Sequence, residues 1–401
     1  MIRPRLLTFL CYGAMMSLAI GVNLLPVFLT SLSASFGGSQ GLSQEQLGRL
    51  GAFSFLGLVC GILLAGPLAD RWGAKPFAIA GNAVTAASLV FMSVAPSYWV
   101  LSIAVFSLGF GAGILDMVLS PIVSVLNPEK RSAAMNWLHS FYCVGAAVTI
   151  LAGTLALQVG LGWRDACFLL LPLPIALLVT FSFLHFPELV HESEQAERSS
   201  LVYLLKEPWL WGCLLAIFLG GATELGMAQW LPAYAETSLG FPKWIGGAAL
   251  LSFSLLMAAG RMVVGSIGER VNAFVVLAWC CSSSVILFLL GSFLPISGWA
   301  LASCIAVGFT GSALWPTVLA VSADRYPAGG ATMFAALAAM GNAGGILMPW
   351  IVGWIGDLIN LHWGLAVSAL APLLMLPLVL ILKRTVVPKQ ASLQTVPGFV
   401  P

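Results

Sequence analysis

The chain has 401 residues, of which 60% are hydrophobic and only 8% charged, and its formal net charge is +2. Soluble domains carry about 25% charged residues, so this composition, with a mean hydropathy of +0.99, excludes a soluble globular protein and indicates one embedded in a lipid bilayer. In hydrocarbon every backbone polar group needs a partner within the protein, and apolar runs of about 20 residues therefore indicate spanning helices.

Twelve apolar runs are long enough to cross a bilayer, which predicts an all-α membrane protein with twelve transmembrane helices. In chain order, predicted spans 1 to 12 cover residues 6–33, 46–69, 76–95, 98–126, 133–159, 164–186, 209–234, 244–267, 273–293, 299–322, 332–355 and 363–382. The apolar run of span 1 exceeds the about 7–15 residues of a signal-peptide core, so we expect it to be retained as a helix.

Basic residues are concentrated on one side of the predicted spans. With the N-terminus inside, fourteen of the seventeen Lys and Arg residues fall in cytoplasmic segments, and the exceptions are Arg49, Arg164 and Lys243. The positive-inside rule then predicts a multi-pass protein of the plasma (inner) membrane with both termini in the cytoplasm. Because the charges are spread along one face, they indicate topology, and no nucleic-acid partner is expected.

The cysteines carry no metal signal. All eight fall inside predicted spans, and none has the spacing of a metal site. Such cysteines are typical of small apolar packing residues. We therefore expect no disulfide, no metal and no cofactor.

A hydrophilic run interrupts the apolar pattern between spans 2 and 3. From Gly66 to Lys75 it reads G-P-L-A-D-R-W-G-A-K, and it resembles the G-x-L-x-D-R-x-G-x-K loop between helices 2 and 3 of the major facilitator superfamily. The resemblance implies a secondary transporter. It also implies that Asp70 accepts hydrogen bonds from the positive end of helix 11 and so closes the cytoplasmic side.

The first half of the chain is repeated in the second at an offset of about 195 residues, with Pro121 matched by Pro316 and Gly145 by Gly341. This predicts two six-helix bundles, residues 1–186 and 207–384, with a cytoplasmic linker at 187–206 and a cytoplasmic tail at 385–401. Two such bundles are typical of transporters that alternate access by rocking around a central substrate site. The loop and its repeat predict a set of gating residues: Gly66, Asp70, Arg71, Gly73, Lys75, Gly260, Arg261 and Arg270.

Ionisable groups inside a span cost about 2.5 to 3.5 kcal/mol on insertion scales, so each is a functional hypothesis. Of the fifteen acids, only Asp116 in span 4 and Glu224 in span 7 lie away from loops and span ends. Gly109 and Gly113 precede Asp116 at helical spacing, and we expect that face to line a cavity. His139 in the antiparallel span 5 lies level with Asp116. A carboxylate desolvated in a cavity can exchange a proton near neutral pH, which predicts Asp116, Glu224 and His139 as proton-coupling residues.

Glu224 lies in a segment that favours a bent helix, since two glycines precede it and Pro232 follows it. A bent helix exposes backbone groups to a ligand, while amides and flat aromatic faces suit a polar, ring-bearing solute. The predicted substrate-binding residues are Asn23, Asn136, Gln229, Trp230, Trp315 and Asn342. Packing is the alternative role for Trp315, for His139 and for a buried Asp116.

A stretch of span 5, from Asn136 to Ala146, reads N-W-L-H-S-F-Y-C-V-G-A. It resembles the N-x-x-H-x-x-F/Y-x-x-G-A pattern of the fucose-permease-like sugar:proton symporters, as do the G-x-G-x-x-D run ending at Asp116 and the stretch from Glu224 to Tyr234. This resemblance implies symport of a neutral sugar with protons. The chain departs from the pattern because proton-coupled members place an acid on helix 1, and here no acid occurs before Glu45.

Other classes are disfavoured by features that the spans lack. Drug:proton antiporters carry an Arg in helix 4 and a G-P-x-x-G-G pattern on helix 5, and neither occurs here. No basic residue other than His139 lies near mid-span, which disfavours an anionic substrate. Without an H-E-x-x-H pattern or a cysteine-histidine metal spacing, an enzyme is not expected.

Three alternatives stay open: an uncoupled facilitator, a proton-coupled exporter of another small organic compound and, more distantly, a transporter-like receptor. The expected partners are a small-molecule substrate, protons and the lipid bilayer. We expect the protein to be a monomer.

Overall fold

A computed structural model describes residues 4–187, 206–267, 270–326 and 330–385; the predicted tail and nearly all of the predicted linker lie outside these ranges. Within them, twelve helices are long and apolar enough to span a membrane, as predicted. The helices form two six-helix bundles. In chain order, α1 to α12 are Pro4–Val27, Gln44–Trp72, Ala74–Ser93, Tyr98–Leu126, Arg131–Gln158, Trp163–Phe183, Pro208–Thr237, Lys243–Ile267, Ala273–Phe293, Ser297–Arg325, Gly330–Leu358 and Leu361–Thr385.

The helix ends follow local sequence signals. Ser43 begins α2 with a capping box, because its hydroxyl accepts from the backbone N–H of Gln46 and the Gln46 side chain accepts from the N–H of Ser43. Asn360 caps the start of α12 through the N–H of Trp363. At the other end of α2, Gly73 adopts a φ of +82°, a conformation that favours glycine.

Several spans are interrupted, which the apolar pattern did not predict. The chain leaves α1 at Phe28 and continues as a short helix, Leu29–Phe36. α6 breaks before Pro172, which has no N–H to continue the helix. α10 consists of Ser297–Gly311 and Leu314–Arg325, and α12 of Leu361–Val367 and Leu370–Thr385.

Glycines let α2 and α4 approach closely. A Cβ at Gly109 would lie 1.9 Å from the carbonyl oxygen of Ser54, and one at Gly113 would lie 2.1 Å from that of Leu58. These glycines were expected to open a cavity beside Asp116, but the structure shows that they contact the backbone of α2. Small residues have this role between helices in membranes, where close backbone contact replaces the hydrophobic effect.

The second bundle repeats this contact between α8 and α10. A Cβ at Gly308 would lie 2.4 Å from the carbonyl oxygen of Phe253, and one at Gly260 would lie 2.7 Å from that of Phe309. The corresponding helix pairs of the two bundles thus pack in the same way. This agreement supports the internal repeat inferred from the sequence.

The number of spans is even, so both ends of the described chain lie on one side of the bundles; we call the opposite side the far end. There α2 of the first bundle meets α11 of the second. The carboxylate of Asp357 accepts from the backbone N–H groups of Gln44 at 2.8 Å and Glu45 at 2.7 Å. The indole of Trp350 donates to Glu45 at 2.6 Å. A carboxylate of one bundle therefore occupies the positive helix terminus of the other.

Two further helix pairs join the bundles at the far end. The hydroxyl of Thr30, just beyond α1, donates to the carboxylate of Glu236 on α7 at 2.5 Å. On α8, Gly247 lies so close to Thr154 of α5 that a Cβ there would be 2.1 Å from its hydroxyl. The far end is therefore closed by contacts from three pairs of helices.

Candidate functional site

A cavity lies between the two bundles. Its walls come from α1, α2 and α5 of the first bundle and from α7 and α8 of the second. It has about 690 Å³ of space free of atoms, the open mouth included. This position between two homologous bundles is where rocking transporters bind their solute.

The cavity wall is mainly apolar and includes three aromatic rings, those of Phe55, Tyr142 and Phe253. Few polar side chains interrupt it. Such a wall can bury a ring or short apolar body and orient it through a few hydrogen bonds. The polar residues in the wall are Asn23, Glu224, Gln229 and Ser254, together with the hydroxyl of Tyr142.

Asn23 on α1 links the cavity to α5. Its side-chain amide donates to the carbonyl of Ala19 at 2.9 Å and lies 3.5 Å from the hydroxyl of Tyr142. The 3.5 Å contact is long for a hydrogen bond. A solute can therefore take over this contact without breaking a strong bond.

Gln229 on α7 presents an unused donor. Its side chain is 3% exposed, and its Nε2 has no hydrogen-bond partner within the described part of the chain. A Cβ at Gly51 would lie 3.0 Å from that nitrogen, so α2 approaches the amide closely. Buried polar groups are almost always hydrogen-bonded, and an unpaired donor in a cavity wall is a candidate ligand group.

Glu224 and Arg261 form an ion pair beside the cavity. The Nη2 of Arg261 lies 3.3 Å from Oε2 and 3.5 Å from Oε1 of Glu224, and 3.8 Å from the sulfur of Met257. Glu224 and Met257 both line the cavity. The side chains of Glu224 and Arg261 are 14% and 35% exposed, respectively.

A proline in α10 leaves a carbonyl group free to bind Arg261. The Nε of Arg261 donates to the carbonyl oxygen of Ser312, which lies at the break in α10, at 3.4 Å. In a regular helix that carbonyl would accept from the N–H four residues later, but that residue is Pro316, which has none. The carbonyl is therefore left free for the guanidinium.

This arrangement corrects an expectation from the sequence. Arg261 was grouped with the gating residues, and no basic residue other than His139 was expected near mid-span. The side chain of Arg261 instead extends from near the end of α8 to Glu224, which lies at the middle of α7. The argument against an anionic substrate therefore no longer holds.

Helix α5 also contributes to the cavity beside which the ion pair lies. Tyr142 and Cys143 on α5 line the same cavity as Glu224. These residues belong to the first bundle, whereas Glu224 and Arg261 belong to the second. Glu224 thus shares the cavity with residues of the other bundle.

The structure brings together only some of the predicted site residues, since Asn23, Glu224 and Gln229 line the cavity. Asp116 is half-buried on α4 and His139 is exposed on α5, and neither is among the residues that line the cavity. No hydrogen bond or ion pair is found for Asp116 with the described residues. The side chain of Asn136 lies outside the described part of the structure.

The remaining predicted binding residues have packing contacts. Trp230 is buried, and its indole donates to the carbonyl of Pro349 at 2.8 Å. The ring of Trp315 lies against Gly341. Asn342 donates to the carbonyl of Ala338 in its own helix at 3.0 Å. None of these three lines the cavity.

The predicted gating residues are spread over the side of the termini. Gly66 lies near the side chain of Met117, and Lys75 donates to the carbonyl of Ser182 at 3.0 Å. Arg71 and Arg270 are exposed. The side chain of Asp70 lies outside the described residues, so its predicted contact with helix 11 stays a prediction.

The three aromatic residues of the cavity wall and its serine were not predicted from the sequence. Tyr142 lies three positions after His139 within the stretch that resembles the sugar symporters, so a signal for it was present. Phe55, Phe253 and Ser254 lie in apolar spans where nothing distinguishes them from packing residues. Only the assembly of the helices shows that they face a cavity.

Twelve spanning helices in two bundles around a central cavity define the class of this protein. It is a membrane transport protein and not an enzyme. The sequence profile of the Major Facilitator Superfamily matches residues 7–332. The chain therefore belongs to that superfamily, as its loop motif predicted.

Similar proteins include a gentisate transporter of Corynebacterium glutamicum, 26% identical over 82% of this chain and 76% of its own. Another is the putative niacin/nicotinamide transporter NiaP of Bacillus subtilis, 24% identical over 84% of each. Among solved structures, a D-xylose-proton symporter has a TM-score of 0.74 at 13% identity, covering 92% of this chain and 96% of its own. The fucose:proton symporter of E. coli has a TM-score of 0.63 at 18% identity, covering 94% and 98%. The solved structures bear on the fold alone.

Proposed function

We propose that the chain is a proton-coupled secondary transporter that moves a small organic solute through the central cavity by rocking alternating access. The observation that carries this proposal is the cavity itself, which lies between the bundles, is closed at the far end and has Glu224 in its wall. A carboxylate in such a wall can exchange a proton with the solvent each time the cavity opens. Asp116 is the second candidate for the coupling proton, and His139 the third.

The first candidate solute is a small ring compound with one polar end. The mainly apolar wall with three aromatic side chains supports this choice, since flat rings stack favourably on such faces. Two relatives are named for gentisate and for niacin or nicotinamide, and all three are small aromatic compounds. Among the predicted ligands, Asn23 and Gln229 can hydrogen-bond polar groups of such a solute.

A neutral sugar, the solute expected from the sequence, is the second candidate. The polar groups of Asn23, Gln229 and Ser254 in the cavity walls favour it, because each can hydrogen-bond a hydroxyl. A proton carried with a neutral solute moves one charge. A membrane potential of 100 mV would then support about fiftyfold accumulation, since it contributes about 2.3 kcal/mol per charge.

The experiment that tests this proposal measures uptake into proteoliposomes with and without an imposed proton gradient. The panel is gentisate, nicotinate, nicotinamide, L-fucose and D-xylose, and protein-free liposomes correct for passive entry. We expect gradient-driven accumulation of at least one ring compound. If only the sugars accumulate, a neutral sugar and not a small ring compound with one polar end is the solute.

Other outcomes overturn the proposal. Movement that is independent of the gradient would show an uncoupled facilitator, and expulsion of solute against the gradient would show an exporter. A protein that moves no compound of the panel, even in exchange, would support the receptor alternative. We propose that the protein lies in the inner membrane with both termini on the cytoplasmic side. This orientation decides which face of the vesicle corresponds to the cell exterior.

A further inference from the structure

The ion pair beside the cavity suggests a more specific substrate. We propose that Arg261 binds the carboxylate of a small aromatic monocarboxylate, and that Glu224 occupies the same cation when the cavity is empty. This inference rests on the proposed function and deepens it. It names the charge of the solute and the residue that recognises it.

The geometry of the pair supports an exchangeable partner. Distances of 3.3 and 3.5 Å from the guanidinium to the Glu224 carboxylate are longer than the about 2.7–2.9 Å of a tight charge-assisted bond. The guanidinium is independently held by the carbonyl of Ser312. This contact of 3.4 Å does not involve Glu224, so the exchange of Glu224 for a solute carboxylate does not require it to break.

The charges explain why the exchange needs a proton. A cation removed from water must be paired, because an uncompensated charge in a low dielectric is costly. When a proton binds the carboxylate of Glu224, Arg261 loses its partner, and the solute carboxylate restores the balance. One proton and one carboxylate enter together, so the cavity gains no net charge.

The titratable groups around the pair come from two elements. Arg261 faces Glu224 from α8, while Tyr142 and Cys143 face it from α5, and His139 on α5 lies within reach of the charge of Arg261. Glu224 is the one acid among the residues that line the cavity. Glu224 is therefore the group in the cavity wall that can take up a proton when the solute carboxylate binds Arg261.

Arg261 contacts the wall residues Glu224 and Met257 but is not itself among the residues that line the cavity. Apolar residues of the wall precede it along one face of α8. Met257 and Phe253 lie one and two turns before Arg261, and both line the cavity. A carboxylate on Arg261 would place the attached ring against these two side chains. Apolar contact and ion pairing thus act on opposite ends of the same small molecule.

The test compares nicotinate with nicotinamide, which share a ring and differ in the carboxylate. For the wild type we expect nicotinate to accumulate with an imposed pH gradient and to be indifferent to a potassium-diffusion potential, because the joint movement of one proton and one carboxylate is electroneutral. Accumulation of nicotinate driven by the potential would overturn the inference. It would leave proton coupling itself intact.

Two variants separate the roles of the pair. We expect Arg261→Gln to weaken nicotinate binding by about tenfold or more, as for loss of a charged hydrogen bond, and to leave nicotinamide binding within about twofold. We expect Glu224→Gln to exchange nicotinate at a rate independent of pH and to lose its accumulation. Unchanged nicotinate affinity in Arg261→Gln would overturn the inference.

Controls keep the result interpretable. Arg325→Gln removes an arginine at the end of α10, outside the cavity, and should change neither affinity. If Arg261→Gln fails to fold, the double variant Glu224→Gln/Arg261→Gln removes both charges, and it should bind nicotinamide but not nicotinate. A wild type that moves nicotinamide or a sugar but not nicotinate would refute this inference alone, whereas one that moves nothing would refute the proposed function as well.

Discussion

At the scale of single residues, the cavity is defined by groups that lack a strong partner. The Nε2 of Gln229 is buried without a hydrogen bond to any described residue, and the contact of Asn23 with Tyr142 is long. A protein tolerates such a cost where a ligand removes it. Gln229 is the one residue of the cavity wall among the described buried side chains that lack a hydrogen-bond partner, which supports its proposed role as a ligand.

Replacing Gln229 by Leu should separate stability from binding. An unpaired buried donor costs about 1–3 kcal/mol, so Gln229→Leu should leave the melting temperature of the empty protein unchanged or raise it, while solute affinity falls by about tenfold. Thermal unfolding and equilibrium binding in detergent would measure both. Asn82→Leu removes a buried amide on α3 and should not alter affinity; an effect as large as that of Gln229→Leu would contradict this role for Gln229.

Asp116 allows a test of proton movement away from the cavity wall. We expect Asp116→Asn to abolish uphill accumulation while solute exchange across the membrane persists, because exchange needs no net release of the proton. Uptake and counterflow in proteoliposomes give the two readouts. Loss of counterflow together with accumulation would instead assign Asp116 to helix packing.

At the scale of helices, the closure of the far end depends on α2 and α11. The Asp357 carboxylate caps the first turn of α2 across the bundle interface, and Glu45 of that turn accepts from Trp350. In the proposed alternating access these bonds would break when the far end opens. We therefore expect them to contribute to the balance between the two states.

The variant Asp357→Asn should shift that balance. A carboxylate at a helix N-terminus contributes about 1 kcal/mol, so its loss should raise the fraction of molecules open at the far end by about fivefold. Spin labels at exposed positions 39 and 358, in a background without the native cysteines, would report the distance across the far end. Asp324→Asn, on the side of the termini, is the matched control. An unchanged distance distribution in Asp357→Asn would exclude this contribution.

The helices were predictable from the sequence, whereas their contacts were not. Apolar length places a span within a few residues, as for Tyr98–Leu126, whose predicted and observed bounds coincide. The pairing of Glu224 with Arg261 joins two helices across 37 positions, and no periodicity within either helix encodes it. The sequence alone could not tell binding from packing at Trp230 and Trp315 for a related reason, since a tryptophan in an apolar span has the same pattern in either role.

At the scale of the whole molecule, the closed far end decides from which side the cavity can be reached. Cys143 lines the cavity and provides a native thiol for following access. Contacts between three helix pairs separate the cavity from the far end. Solvent access in this conformation should therefore be from the side of the termini.

An impermeant maleimide should label Cys143 from the side of the termini and be slowed by bound solute. If both termini are cytoplasmic, as the basic residues predict, labelling will occur in inside-out vesicles and be weak in right-side-out vesicles. In the Cys143→Ser variant any labelling that remains comes from the other thiols, so the difference from the wild type is the labelling of Cys143. Preferential labelling in right-side-out vesicles would contradict either the closure of the far end or the predicted orientation.

The proline in α10 gives the repeat a meaning beyond symmetry. Pro316 touches neither the cavity nor the ion pair, yet the hydrogen bond that it omits leaves the Ser312 carbonyl to anchor the guanidinium of Arg261. Its counterpart Pro121 in α4 omits the same bond in the first bundle, where no arginine occupies the position of Arg261. Among the described residues, only the second bundle therefore places an arginine on the carbonyl that the proline leaves free, and this makes the two halves chemically different.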